Sequence, residues 1–131
     1  MHISRADRGS VTAEAMIALP VVMFAILACM QVCLLFFAQS VALAAAQQGV
    51  RAARAYGASH SSGASVAKRY AERTASGLLS SISAASTGTS TTVRVIVRGR
   101  SLSLVPFLPS IEISGEAAGP VERFTTPRRP A

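Results

Sequence analysis

Few side chains in this 131-residue chain have the type and spacing to do chemistry. His2 stands beside the N-terminus and His60 in a Ser-rich stretch, so no histidine cluster forms. Cys29 and Cys33 are one helical turn apart, but two thiols without further ligands do not complete a metal site. In apolar surroundings they act as small apolar residues. The sequence carries no Gly-rich phosphate loop, no nucleophile–base pair and no metal motif, so it predicts a protein that is not an enzyme and needs no cofactor. One carboxylate stands out. Glu14 is the only charge between Arg8 and Arg51, and it follows Gly9-Ser10 at the edge of a long apolar run. Gly9 has no side chain, so an extended backbone there fits a narrow protease site. A carboxylate facing hydrocarbon is costly, by about 2.5–3.5 kcal/mol on insertion scales, unless it is paired or reaches the interface. Its plainer role is to complement the dipole at a helix N-terminus.

The elements that must position these residues follow from where charge is absent. Lys and Arg number 13 against 6 Asp and Glu, a formal +7, yet residues 15–50 hold no charge at all. Residues 1–14 sum to zero, so residues 51–131 carry the whole excess. The mean hydropathy of +0.42 therefore averages two unlike parts. Met16 to Ala38 is broken only by Pro20 and Gln31. As a helix it would be about 35 Å long, enough to cross a hydrocarbon core of about 30 Å with some tilt. It is apolar on every face, unlike an amphipathic surface helix, and the rest of the chain is too small to wrap it as a buried core helix. It is also longer than the apolar region of a cleaved secretory signal. Helix-forming sequence continues through Ala42–Ala46 to Tyr56, so one helix over 10–56 is predicted, spanning at 16–38 and continuing as an Ala-rich stalk. Pro20, one turn inside, denies the Met16 carbonyl its usual donor and marks a kink in the span. Basic residues flank both ends of the span, so charge counting leaves its orientation open.

The run Arg8-Gly9-Ser10-Val11-Thr12-Ala13-Glu14 before an apolar helix resembles the class III signal of type IV pilins and pseudopilins. With Ala18-Leu19-Pro20-Val21 and the Ala44–Arg54 stretch, residues 8–56 look like the TadE family of minor pseudopilins of tight-adherence (Flp) pili. Ala15 stands where major Flp pilins usually carry Tyr, which favours a minor pseudopilin. The resemblance implies a leader over 1–9, removed between Gly9 and Ser10 by a prepilin peptidase. It also implies that Glu14 pairs with the new N-terminal amine of a neighbouring subunit. Implied partners are membrane lipid, the peptidase, other pilins or pseudopilins and the pilus assembly platform. The implied location is the bacterial cytoplasmic membrane, with the N-terminus cytoplasmic and the C-terminal domain outside.

Beyond the stalk, 57–64 reads as a flexible linker. A second helix is predicted over 65–83, with Val66, Tyr70, Leu78 and Ile82 on one stripe. It would pack on a sheet, or lie on an anionic surface through its basic face. Ser86–Thr92 reads as a loop, and Val93–Arg98 alternates as the clearest strand. Ser101–Val105 is a further candidate strand, ended by Pro106, and Ile111–Ala117 alternates again. The expected fold is α+β: a long N-terminal helix, then a small helix-on-antiparallel-sheet domain over 65–123, pilin-like in layout, and a disordered tail over 124–131. Basic residues are scattered without interleaved aromatics, so nucleic-acid binding is not expected. The rival reading is a single-pass, signal-anchored module whose basic domain binds an anionic partner such as cell-wall polymer or DNA.

Overall fold

The computed structural model describes residues 6–55 and 58–122, with side chains described from Val11 onward. The first five leader residues and the tail expected over 124–131 lie outside the described residues. Helix α1 runs Ala6–Arg54 and α2 His60–Thr74, followed by strands β1 (Leu79–Gly88), β2 (Thr92–Ser101) and β3 (Glu112–Pro120). The strands form one antiparallel sheet in the order β1-β2-β3. The architecture is α+β, as the sequence predicts.

At 49 residues α1 is about 73 Å long, and burial divides it in two. From Val11 through Met30 almost every side chain is exposed. From Gln31 a buried stripe begins, passing through Ala38, Val41, Ala42, Ala45, Ala46, Gly49, Val50 and Ala53. These positions recur at three- and four-residue steps, the period of one helix face. They meet α2 and the sheet in two adjoining clusters. Near the middle of α1, Ala38, Val41 and Ala42 pack with Ala75, Leu79 and Ile113. Farther along, Ala45, Ala46, Val50 and Ala53 pack with Ala67, Ala71, Val93, Val95 and Val97. The predicted alternation of β2 is borne out: Val93, Val95 and Val97 are fully buried, and Arg94 and Arg98 lie on the opposite, exposed face. Burying each valine is worth roughly 1.5–3 kcal/mol.

This packing corrects the division expected at residue 56. The C-terminal half of α1 is no free stalk; it is a core element of the domain, because its Ala and Gly side chains let the sheet and α2 approach closely. The linker expected over 57–64 is also shorter. Helix α2 starts at His60, with Ser59 in extended conformation at its N-cap. Gly63, which reads as a flexible position in sequence, is buried in the helix against Gly49. The helix ends at Thr74 and not at Ser83, because Gly77 adopts φ +80 and turns the chain toward β1. Its buried residues are Gly63, Ala67 and Ala71, while Val66 and Tyr70 are half-buried at the margin.

The loop expected over Ser86–Thr92 is shorter, because Ser86–Gly88 end strand β1 and Thr92 begins β2; β1 pairs with β2 from Leu79↔Ser101 to Gly88↔Val93 with an irregularity between Ser80 and Ser83. The turn is confined to Thr89–Thr91, where the Thr91 and Thr92 amides donate to Thr89 Oγ1 at 3.3 and 3.2 Å. The candidate strand Ser101–Val105 does not form. Ser101 closes β2, and residues 102–111 make a loop through Pro106 and Pro109. Proline lacks the N–H a ladder needs. The loop is pinched at its neck by the Ser101 amide donating to the Ile111 carbonyl at 3.0 Å.

Candidate functional site

The residues singled out by sequence lie on the exposed half of α1. Gly9 and Ser10 fall within the helix, near its start at Ala6, and their side chains are outside the described residues. Glu14 is exposed, and it makes no ion pair among the described residues. It lies about 7.5 Å along the axis from Gly9. The helix continues through Pro20 as one element. Prolines in long helices are a common cause of bends, since the ring removes one hydrogen bond.

Between Glu14 and Gln31 the helix presents Met16, Ile17, Leu19, Val21, Met23, Phe24 and Ile26 to its surroundings. This is the pattern of a helix whose partner is an apolar medium, because no other part of the described chain covers it. α1 is the one helix among the described residues long and apolar enough to cross a membrane. This is consistent with single-pass membrane anchoring, and the domain packs on the continuation of the same helix.

In the sequence Gln31 is only an interruption of the apolar run. It is 4% exposed. Its Nε2 donates to the Leu102 carbonyl at 3.3 Å, and its Oε1 accepts from the Leu104 amide at 2.8 Å. The side chain thus completes one loop strand as a neighbouring backbone would. Two turns on, Gln39 Nε2 donates to the Ser114 carbonyl at 2.9 Å, fixing β3 against the helix in the same way. The only sequence signal for either role is a carboxamide interrupting the apolar helix, Gln31 on the face that becomes buried and Gln39 exposed beside it.

Cys29 and Cys33 are free and exposed on α1. No group of residues able to hold a metal ion occurs among the described residues. The basic residues fall on two different faces. Lys68, Arg69 and Arg73 are carried by α2, on the helical side of the sheet. Arg94, Arg98 and Arg100 lie on its open side. Several are paired: Arg94 with Glu116 at 2.6 Å, Arg54 with Glu122 at 3.8 Å and Lys68 with Glu72 at 3.9 Å. All three pairs are substantially exposed, so each contributes little to stability.

Residues 9–51 match the model of the TadE-like protein family, the same family the sequence resembles. The matched segment begins at Gly9, contains Glu14, Pro20 and Gln31, and ends within the helix face that packs on the domain. No curated protein and no solved structure matches the chain.

Proposed function

From the TadE-like segment and the helix that carries it, we propose that the protein is a structural component of tight-adherence pilus biogenesis, a minor pseudopilin that catalyses nothing. The observation that supports this best is the coincidence of three features on α1: Gly9-Ser10 near its start, Glu14 one helical turn beyond Ser10, and an exposed apolar surface from Met16 to Met30. A prepilin peptidase would cut between Gly9 and Ser10 at the cytoplasmic side of the membrane. Glycine is a poor helix residue, by roughly 1 kcal/mol relative to Ala, so the chain unwinds there at small cost to enter a protease site.

Cleavage would leave Ser10 as the first residue, with a new positive amine, at the N-terminus of the remaining helix. Glu14 would then sit in its opening turns, where a carboxylate is favoured by the dipole. Inserted among other pilins, it would offer a counter-charge to a neighbour's amine, offsetting the cost of both charges in an apolar setting. The domain would face away from the cytoplasm and present its sheet to the assembly platform or to neighbouring subunits. The anionic-partner reading has less support, because the domain's basic residues are divided between two faces and partly neutralised by carboxylates.

Mass spectrometry of the protein extracted from membranes tests the reading. The mature N-terminus is expected at Ser10. An N-terminus at Met1 in cells with active peptidase overturns processing and, with it, the pseudopilin role.

A further inference from the structure

The loop over residues 102–111 has the composition of a membrane contact and lies at the depth where one would be. It carries no charge, and its sequence Leu102-Ser-Leu-Val-Pro-Phe-Leu-Pro-Ser-Ile111 is mostly apolar. Phe107 is 103% exposed, and Leu102, Leu108 and Ile111 are also exposed. Phe107 holds φ 71, in the left-handed region that bulky residues avoid. A phenyl ring in full exposure on a strained backbone is a poor arrangement for water.

The depth follows from Gln31, whose two hydrogen bonds fix Leu102 and Leu104 at its own level on the helix. Gln31 is about 26 Å along the axis from Glu14. With Glu14 at the inner boundary, a hydrocarbon core of about 30 Å ends near Leu34. The loop root therefore lies in the last turn of the span, and the loop beside it lies in the outer leaflet or at its interface. Two apolar grooves flank α1 at this level. One, of about 320 Å³, is lined by Val32, Leu35, Phe36, Gln39, Ile111 and Ile113. The other lies between Cys29, Cys33 and Phe37 of the helix and Leu78. Both are continuous with the exposed apolar surface of the span.

Backbone polar groups in the loop are suited to the same place. Leu102 donates to the Leu78 carbonyl at 3.0 Å, Leu108 to the Val105 carbonyl at 3.2 Å, and Leu104 to Gln31. Pro106 and Pro109 have no N–H to satisfy. Irregular backbone near hydrocarbon needs such pairing, and at the interfacial layer water serves the loop's other amides.

We propose that this loop is a second membrane anchor: it inserts into the outer interfacial layer beside α1, with Phe107 as its deepest side chain and acyl chains filling the two grooves. The domain is thereby seated on the bilayer and its rotation about the helix axis is restricted. The proposal rests on α1 spanning the membrane.

The chain has no Trp, so single Trp variants report position without background. Full-length Phe24→Trp, Phe107→Trp and Ser90→Trp would be reconstituted in phosphatidylcholine vesicles carrying bromines at shallow or deep acyl positions. Expected are deep quenching at Phe24→Trp, shallow quenching with a blue shift at Phe107→Trp, and neither at Ser90→Trp in the distal β1–β2 turn. Quenching at Phe24→Trp without quenching at Phe107→Trp overturns the loop proposal and leaves the span intact. A blue shift at Phe107→Trp that grows with protein density and resists bromine means that a neighbouring copy covers the loop, and also overturns it. Absence of quenching at Phe24→Trp overturns the span and the loop proposal together. Since Phe107 is fully exposed, its replacement does not threaten the fold.

Discussion

Gly49 of α1 and Gly63 of α2 are in such close contact that a Cβ built on Gly49 would lie 2.6 Å from the Gly63 carbonyl oxygen. One built on Gly63 would lie 2.7 Å from that of Gly49. The two helices cross on their backbones. A Cβ on Gly49 would also meet Ala67 Cβ and Val95 Cγ1 at 2.9 Å, so this contact sets the distance between both helices and the sheet. Gly115 of β3 approaches the Ala42 backbone of α1 in the same manner.

Gly49→Ala or Gly63→Ala is therefore expected to destabilise the domain by about 1–3 kcal/mol through overpacking. Intrinsic helix propensity predicts the opposite sign, a gain of roughly 1 kcal/mol. Equilibrium denaturation of the detergent-solubilised protein separates the two. A stabilised variant would mean that the helices are free to move apart.

The C-terminal half of α1 supplies Ala38, Ala42, Ala45, Ala46, Val50 and Ala53 to the two core clusters. A fragment comprising residues 57–131 is expected to be unfolded, whereas one comprising 31–131 folds. Amide dispersion in NMR spectra distinguishes these outcomes. A folded 57–131 fragment would show that α1 is dispensable to the core.

Gln31→Leu removes both hydrogen bonds by which its side chain holds the 102–111 loop to the helix, at an expected cost of about 1 kcal/mol for the part-buried backbone groups left unpaired. The effect should be local. Faster hydrogen exchange at the Leu104 amide is expected, with the β2 amides of Val93, Val95 and Val97 unchanged. Unaltered exchange at Leu104 would mean that the loop is held by its own contacts.

Glu14 is exposed and contributes nothing to the domain core. Glu14→Ala is accordingly expected to insert and fold normally while losing incorporation into the pilus machinery. Piliation and co-purification with other pilins are the measurements. Retention of both would remove the assembly role of the carboxylate.

The features of the N-terminal half were legible because they rest on charge and hydropathy, which are written residue by residue. Glu14 beside Gly9-Ser10, the uncharged stretch of 15–50 and the apolar run from Met16 need no partner to be recognised. The alternation of Val93, Val95 and Val97 was equally plain, since a half-buried strand has period 2. Leu78 and Ile82 differ. They fit a helical stripe, but Gly77 breaks the helix first and delivers them to a turn and to β1.

By itself, the sequence determined that this protein has a helix long and apolar enough to cross a membrane, a candidate processing point at its start and a small α+β domain after it. Only the tertiary structure decided where membrane helix ends and domain begins. Alanine and glycine carry little hydropathy contrast, so Ala38–Ala53 read equally well as a free stalk or as a core face. The same ambiguity made Gly63 look like part of a linker and Gln31 look like a flaw in the span. What distinguishes these readings is how closely another backbone approaches, and that distance exists only once the sheet, α2 and the 102–111 loop have come to rest against α1.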